Sequence, residues 1–292
     1  MFSKLRHKLG LRILRKYCRR ISARPLDADI HYAFAKDATR FGLYNLGNAE
    51  LKNAEFLGYD DVEVASLKKD IDDNLSEHAE LDVNQYQRFK VLQSHLQRLL
   101  SGDESILDIG GGHGLLSQFM PDNHYFLIEP SVNGISGLEL PFSDNSFDVV
   151  VTCHVLEHIP ADDRAAFINE LTRVAKQNVL IFNPFKNSEL DDQERLLLLL
   201  DVTKASWAAE HLECGFPAIE EICDYISSKG LSYTVKEYGD IYASIATVFM
   251  SYFAGKTNTD DIRRINRHLN QEYDQLTSSK YPTNIMIEIL IK

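Results

Sequence analysis

A carboxylate and a run of glycines stand together in the segment Ser105–Gly114, which reads SILDIGGGHG. Asp108 precedes four glycines, which are Gly110, Gly111, Gly112 and Gly114. Glycine lets the backbone turn sharply and approach a ligand closely, and the first amides of a following helix point towards that ligand. The carboxylate suits a cationic partner, such as an α-amino group, and does not suit a pyrophosphate. The segment therefore predicts a binding loop for a small ligand that carries positive charge.

The glycine spacing separates two kinds of cofactor. Its form is G-x-G-x-G, and Leu115 stands where the dinucleotide fingerprint G-x-G-x-x-G requires its last glycine. Together with the position of Asp108, this spacing disfavours NAD. A purely structural glycine turn in an α/β protein is the simpler alternative.

A second carboxylate, Glu129, lies fifteen residues beyond Gly114, at the end of the predicted strand 124–129. A carboxylate at that place can accept two hydrogen bonds from a ribose diol. A solvated acid at the end of a strand is the alternative, and the position next to the glycine loop favours the ribose.

Two histidines flank a glutamate in His154-Val-Leu-Glu-His158, directly after the predicted strand 149–153. His154 is either a general base or an orienting and packing group, and we expect Glu157 and His158 to anchor the turn that follows. The spelling H-x-x-E-H also matches a zinc-protease motif. That motif needs both histidines on one helix and a further ligand downstream, so we expect no metal.

Strand-like apolar runs alternate with amphipathic helices from residue 81 onwards, which predicts an α/β protein with a parallel sheet covered on both faces. Strands are predicted at 105–109, 124–129, 149–153, 178–182, 231–235 and 285–291, and helices at 81–100, 115–120, 161–176 and 218–228. Helical insertions are predicted at about 185–217 and 240–278. Within the first insertion, Glu210 and His211 are interpreted as plain surface in preference to part of a lid.

The first 23 residues predict an amphipathic helix. Apolar side chains recur at every fourth position, at Leu5, Leu9, Ile13, Tyr17 and Ile21, opposite a face of bases. Residues 1–24 hold nine bases and no acid, which leaves a net charge of −21 on the rest of the chain. Three interpretations stay open: an anionic membrane surface bound through residues 1–21, a mitochondrial presequence, or a helix docked on its own acidic domain.

Composition excludes several classes of protein. The chain has 292 residues, of which 44% are hydrophobic and 25% charged, as in ordinary soluble proteins. Four scattered cysteines without C-x-x-C spacing suggest neither a disulfide framework nor a zinc site, and they fit a reducing, cytoplasmic compartment. The acidic body is a poor binder of nucleic acid.

Four ordered blocks resemble the class I S-adenosylmethionine-dependent methyltransferases, and in particular the subgroup with an L-P-F…F-D segment before the fourth strand. The blocks are Leu107–Gly114, Glu129, Leu140-Pro-Phe…Phe147-Asp-Val-Val, and His154–His158. The resemblance covers roughly residues 81–184. It implies a Rossmann-like, seven-stranded methyltransferase sheet with helical insertions and an N-terminal helical arm. The implied organisation is a basic amphipathic helix (1–24), a helical cap or arm (25–80) and a methyltransferase domain (81–292).

The resemblance also implies a cofactor, S-adenosylmethionine, and the residues that hold it. Asp108 and the backbone of 110–114 would hold the methionine end, and Glu129 the ribose. Ser136 and Gly137 would belong to the segment that lines the adenine.

Arg88 and Tyr86, on the helix before the first strand, are either partners of the cofactor's carboxylate or ordinary helix surface and core, and the sequence slightly favours the latter.

The acceptor of the methyl group is not specified by these motifs. Cys214-Gly-Phe-Pro217 ends an insertion that distantly resembles methyltransferases of surface-glycan and lipid-linked sugar assembly. We therefore expect a small-molecule, glycan or lipid-linked acceptor, with His154 as the candidate base for a hydroxyl. The alternatives are a catalytically silent module that binds the cofactor and serves as a scaffold, and an NAD-dependent oxidoreductase.

Overall fold

The structure is a computed structural model that describes residues 2–187, 190–254, 259–272 and 279–291, without the side chains of 2–9, 11, 12, 254 and 259. Parts of both predicted insertions, at 188–189, 255–258 and 273–278, lie outside the described residues.

The described chain alternates helices and strands much as the sequence predicts. The helices are α1 (Phe2–Ala23), α2 (Ala28–Arg40), α3 (Tyr44–Phe56), α4 (Glu63–Asp72), α5 (Val83–Leu99), α6 (Leu116–Phe119), α7 (Arg164–Val174), α8 (Asp192–Thr203), α9 (Ser206–Cys214), α10 (Ile219–Ser228), α11 (Ile241–Ala254) and α12 (Thr259–Glu272). The strands are β1 (Ser105–Ile109), β2 (His124–Ile128), β3 (Phe147–Cys153), β4 (Ala175–Asn183), β5 (Ser232–Tyr238) and β6 (Asn284–Leu290). No helix among the described residues is both long enough and apolar enough to span a bilayer.

The described strands form one six-stranded sheet in the order β2-β1-β3-β4-β6-β5. β1 runs parallel to β2 and β3, with Asp108 opposite Leu127 and Val151, and β6 runs antiparallel to β4 and β5. The fold is therefore α/β, as the sequence predicts, but the sheet is mixed and not all parallel, because β6 runs antiparallel to both of its neighbours. The predicted count of seven strands is wrong for the described residues, because the segment 130–146 forms only turns.

The reason for the missing strand lies at the free edge of β2. Asn53, on α3, donates from its amide to the Leu127 carbonyl (3.2 Å) and accepts from the Leu127 amide (2.7 Å). Both groups of Leu127 point away from β1, so a buried side chain takes the hydrogen bonds that a neighbouring strand would otherwise provide. Helix α3 thus completes the sheet edge in place of a strand.

The chain divides into two compact units. Unit 1 comprises residues 1–76, 95–152 and 170–176, and unit 2 comprises residues 77–94, 153–169 and 177–292. These units cut across the three-part division predicted from the sequence, which stays a prediction.

In unit 1, the second half of α1 packs on α2. Ile13, Tyr17 and Ile21 are 8%, 2% and 0% exposed. The Tyr17 ring stacks on Phe34 at 4.6 Å, and its hydroxyl donates to Asp37 (2.7 Å). These positions of the apolar stripe are therefore satisfied within the chain, as the docked-helix interpretation requires. Leu5 and Leu9 lie outside the described side chains.

The L-P-F…F-D segment has a structural role in unit 1. The Arg173 guanidinium donates to the carbonyls of Phe142 (2.7 Å) and Leu140 (3.1 Å). Asp148 accepts from the Ser105 amide and hydroxyl, which ties the starts of β3 and β1 together. This motif therefore fixes the turn before β3 and ties the start of β3 to the start of β1.

Candidate functional site

The glycine loop after β1 needs glycine for two different reasons. A Cβ on Gly111 would lie 2.2 Å from the Asp108 Oδ2 atom, so any side chain there would displace the carboxylate. Gly112 has a φ of +58°, and a Cβ there would meet nothing within 4 Å. Close packing requires glycine at position 111, whereas Gly112 adopts a left-handed backbone conformation beside open space. The loop therefore presents backbone towards a free volume, as a cradle for a ligand does.

Asp108 is the charged centre of this loop. Its side chain is almost entirely buried (1% exposed), and the Tyr125 hydroxyl donates to its Oδ2 atom at 2.6 Å. Burial raises the pKa of Asp108 to about 7, and the negative charge of Glu129 adds to the rise while the Tyr125 bond opposes it. A cationic group that bound here would replace the lost hydration and favour the ionised form. The carboxylate is therefore poised for an ammonium group.

Glu129 is fixed at the end of β2. Its Oε1 atom accepts from the Ser131 amide (3.0 Å) and hydroxyl (2.7 Å), and its Oε2 atom accepts from the Gly112 amide (3.2 Å). Oε1 already accepts two hydrogen bonds, whereas Oε2 retains capacity for another donor. The Glu129 side chain, which is predicted to bind the ribose, is thus held against the glycine loop.

The structure gives less support for the predicted adenine contacts of Ser136 and Gly137. Ser136 is exposed, and its hydroxyl accepts from the Leu138 amide at 3.2 Å, while Gly137 is buried. The serine oxygen is therefore engaged in its own turn. Its predicted adenine contact stays a prediction.

His154, in unit 2, has an unusual backbone. Its φ of +57° is rare for a residue with a side chain. The backbone amide is nevertheless secured, because it donates to the Phe182 carbonyl at 2.8 Å. A strained residue directly after a strand is a typical feature of functional sites.

The ring of His154 faces a buried carboxylate. Its Nδ1 atom lies 3.1 Å from the Glu157 Oε1 atom. Its buried Nε2 atom makes no hydrogen bond of good geometry with any described residue, although the Asn284 side chain interacts with the ring. Burial lowers the pKa of His154, and the nearby Arg88 charge lowers it further. With its proton on Nδ1, beside Glu157, the ring would leave Nε2 as an acceptor.

Glu157 is fully buried, and Asn183 holds it in place. The Asn183 amide donates to Glu157 Oε2, and its oxygen accepts from the amides of Val155 (3.1 Å) and Leu156 (3.4 Å). Burial alone would raise the pKa of Glu157, but the attraction of His154 and then His211 outweighs it and brings the pKa to about 2. Glu157 is therefore an anion that is fixed to the turn, as the sequence predicts, and that also contacts His154.

His211 corrects a prediction from the sequence. It was expected to lie on the surface, yet it is only 7% exposed and its Nε2 atom lies 3.1 Å from the Nε2 atom of His158. The Trp207 and Phe216 rings pack against it at centroid distances of 5.3 and 5.6 Å. Glu210, which is exposed, contacts His158 Nδ1 at 2.8 Å. The apolar packing explains the burial, and no local pattern around residue 211 signals it.

The two residues proposed for the cofactor's carboxylate lie in unit 2. The Tyr86 ring stacks on His78 with a centroid distance of 6.3 Å. Arg88 lies close enough to His154 and His211 to lower the pKa of both rings. Their role towards the cofactor stays a prediction.

Comparison with known proteins agrees with these features. A family model described as a methyltransferase domain matches residues 84–239, just over half of the chain. The comparison with curated proteins gave no match.

Among solved structures, the chain is similar to YcgJ from Bacillus subtilis, with 17% identity over 70% of this chain and 98% of that one and a TM-score of 0.41. It is also similar to an S-adenosylmethionine-dependent methyltransferase from Archaeoglobus fulgidus, with 14% identity over 69% and 94% of the two chains and a TM-score of 0.41. Phosphoethanolamine N-methyltransferase 2 from Haemonchus contortus, in complex with S-adenosyl-L-methionine, has 14% identity over 75% and 60% of the chains and a TM-score of 0.44. At these identities and scores, the structural similarities add nothing to the family match.

The α/β sheet with a glycine loop and two strand-end carboxylates defines a class of protein, the Rossmann-like transferases. The chain belongs to the methyltransferase-domain family. It is a methyltransferase that depends on S-adenosylmethionine, and this cofactor replaces the NAD alternative. The residues of the glycine loop fit that cofactor, since Asp108 offers an anion for the ammonium group and Gly112 opens onto free space.

Proposed function

We propose that this protein transfers a methyl group from S-adenosylmethionine to a hydroxyl oxygen of a small-molecule acceptor, with His154 as the group that takes the hydroxyl proton. The observation that carries the proposal is the state of the His154 ring. Glu157 Oε1 lies 3.1 Å from its Nδ1 atom, and its buried Nε2 atom makes no hydrogen bond of good geometry with any described residue. A buried acceptor of this kind is costly unless a ligand uses it.

Binding of the cofactor falls to the residues after β1 and β2. We assign its ammonium group to Asp108, its methionine backbone to the amides of Gly110, Gly111, Gly112 and Gly114, and its ribose diol to Glu129. Ser136 and Gly137 are the proposed adenine contacts. Asp108 is supported by its burial and by the hydrogen bond from Tyr125, and Glu129 is supported by the hydrogen bond from the Gly112 amide.

The cofactor supplies a methyl group that is already activated by a positively charged sulfur. The new bond joins that carbon to the acceptor oxygen, the carbon–sulfur bond breaks, and its electron pair returns to sulfur. The hydroxyl proton goes to His154 Nε2, and Glu157 stabilises the imidazolium that forms. Because the methyl needs no further activation, the protein contributes mainly alignment and removal of the proton.

For the acceptor we propose a hydroxyl of a glycan or of a lipid-linked intermediate. Support comes from unit 2, where Leu197 and Leu198 on α8 are 50% and 53% exposed. Tyr242 and Phe253 on α11 are 58% and 52% exposed. Exposed large apolar side chains on two helices fit an acceptor that has an apolar part.

The experiment is transfer of labelled methyl from S-adenosylmethionine into fractionated cell extract. We expect the label in an organic-soluble or glycan fraction, in a bond that is stable to mild base, as an ether is and an ester is not. Label in protein or nucleic acid would overturn the proposed acceptor. If no fraction accepts label although the protein binds the cofactor, the protein is a binding scaffold and not a catalyst.

For the N-terminal helix we propose docking on unit 1 in preference to membrane binding. Its apolar positions Ile13, Tyr17 and Ile21 are buried within the chain and are not available to lipid. The basic face also has an internal partner, because Lys16 forms an ion pair with Asp37 at 3.2 Å.

Substitution separates the two roles of this helix. Tyr17→Ala should lower the free energy of unfolding by about 3 kcal/mol, as truncation of a buried aromatic ring does, whereas Arg19→Ala on the exposed face serves as a control with little effect. Co-sedimentation of the full chain with anionic vesicles at low salt, together with an unchanged stability of Tyr17→Ala, would restore the membrane interpretation.

A further inference from the structure

The side chains of Glu157, His158 and His211 converge in unit 2. Their donor atoms lie within 4.8 Å of one another. The His158 and His211 Nε2 atoms are 3.1 Å apart, and the Glu157 Oε1 atom is 3.8 Å from His211 Nε2. We propose that these three residues form a binding site for a divalent transition-metal ion of the zinc type.

The distances suit shared coordination. Two imidazole nitrogens that each lie about 2.1 Å from one ion are about 3.0–3.4 Å apart in octahedral or tetrahedral geometry. The two Nε2 atoms already have this separation. His158 is about one-third exposed, at 32%, so its ring is not enclosed by its neighbours. That exposure also gives an ion a route into the cluster.

The buried anion is the second observation. Glu157 is 0% exposed, and its Oε1 atom faces two imidazole rings, with His154 Nδ1 at 3.1 Å and His211 Nε2 at 3.8 Å, neither in a hydrogen bond of good geometry. A buried charge of this kind is costly without a partner. An ion that is bound at Oε1 would supply that partner directly.

Neighbouring side chains contact the three proposed ligands and orient them, as the outer residues of metal sites do. Glu210 contacts His158 Nδ1 at 2.8 Å, which keeps the proton on Nδ1 and directs the Nε2 lone pair towards the ion. Asn183 fixes Glu157 through its other oxygen, and the Trp207 and Phe216 rings pack against His211. Carboxylates behind a ligating histidine are typical of metal centres.

The set of ligands indicates the kind of ion. Two imidazoles and one carboxylate favour zinc or a similar transition metal over magnesium or calcium, which prefer oxygen ligands. Three protein ligands leave a coordination position open, as in catalytic zinc sites. The charges of Glu157 and Glu210 offset the repulsion from Arg88.

This site differs from the zinc-protease motif that the sequence H-x-x-E-H spells. His154 and His158 do not share a helix, since His154 has a φ of +57° and residues 156–158 form a short 3-10 turn. The second histidine of the cluster is His211, on α9, far along the chain. The expectation that no metal binds rested on this motif and on the scattered cysteines, and the proposed site uses a different pair of histidines and no cysteine.

The test begins with the full chain after chelation and dialysis. Calorimetric titration with Zn²⁺ should show one ion per chain, confirmed by metal content after desalting. His158→Ala and His211→Ala should each weaken binding by more than about 100-fold, and Glu210→Gln by about 10-fold, as loss of an outer partner does. His268→Ala removes an exposed histidine of unit 2 and is the matched control, with unchanged binding.

Each outcome decides the proposal. The absence of stoichiometric Zn²⁺ binding by the wild-type chain would overturn it, as would equal binding by the wild type and His158→Ala. Equal losses in His268→Ala and His158→Ala would also overturn it, because the ions would then be held by scattered surface histidines. Since His211→Ala removes a buried ring, circular dichroism must show that its fold is intact, and if the fold is lost, the affinity of His158→Ala alone decides. None of these readouts depends on methyl transfer, so the site stands or falls separately from the proposed acceptor.

Discussion

The glycine loop of unit 1 and the histidine cluster of unit 2 are built in opposite ways. The loop comes from one stretch of chain, residues 108–114, and from the end of the next strand, and we propose that it binds the cofactor largely through backbone amides. The cluster brings together side chains from residues 154–158, 183 and 211, whose positions depend on long-range packing. The glycine loop is formed by residues close together in sequence, so residue spacing predicts it. The histidine cluster forms only once unit 2 has folded. We propose cofactor binding for the loop and removal of the acceptor's proton for His154, which lies beside the cluster.

The largest expected effect concerns Asp108. Asp108→Asn should weaken binding of S-adenosylmethionine by about 100-fold or more, because it removes a buried, charged partner of the ammonium group. At pH 8, the ligand-free variant should be at least as stable as the wild type, because it no longer buries a carboxylate whose pKa is raised to about 7. Calorimetry and thermal melts measure the two quantities. An unchanged affinity would show that the loop does not use Asp108.

The matching test in the cluster is His154→Ala. Turnover at saturating cofactor should fall by about 100-fold, as loss of a general base does, while cofactor affinity stays unchanged. His268→Ala serves as the exposed control in the same unit. A loss of less than threefold would make His154 a structural residue and remove the contrast between the two regions.

A smaller effect follows from pH. Below about pH 7 the Asp108 carboxyl is protonated, so binding of an ammonium group must release that proton. Affinity for the cofactor should therefore rise by about tenfold per pH unit up to pH 7 and then level off. Titrations between pH 5.5 and 8 would show this, and Asp108→Asn should abolish the slope. A slope that persisted in the variant would assign the proton to another group.

The smallest expected effect separates two glycines of the loop. Gly112→Ala should cost about 1 kcal/mol of unfolding free energy, which is the cost of a left-handed turn for alanine, since a Cβ there meets nothing within 4 Å. Gly114→Ala should cost more, because its Cβ would lie 2.3 Å from that of Ala49. Denaturant titration compares them. Equal losses of unfolding free energy in the two variants would mean that the backbone at Gly114 shifts to accommodate the added Cβ.

Much of the fold could be predicted because the strands are short apolar runs bounded by turns. The boundaries of β1, β2 and β6 fall within a residue or so of those predicted, and the glycine loop follows β1 as expected. The missing strand beyond β2 could not be predicted, since it depends on one side chain, Asn53, which reaches the strand edge from a distant helix. The contact between Tyr125 and Asp108 could not be predicted either, because it joins side chains of two different strands.

The sequence predicted only those residues in and beside the cluster that are close together in the chain. His154 was identified from its place after a strand, and Glu157 from the turn. His211 was misjudged because its neighbours in sequence, Glu210 and Leu212, give no sign of the aromatic packing that buries it. Contacts between distant residues have no sequence period, and they therefore required the structure.

Hydrogen–deuterium exchange with S-adenosylhomocysteine tests the central claim most directly. The ligand should slow exchange of the backbone amides of 110–114 and of 129–137 in the wild type and in His154→Ala, and should leave Asp108→Asn unprotected at the same ligand concentration. Protection that is absent from 110–114 in the wild type, or that survives in Asp108→Asn, would contradict the assignment of cofactor binding to the glycine loop.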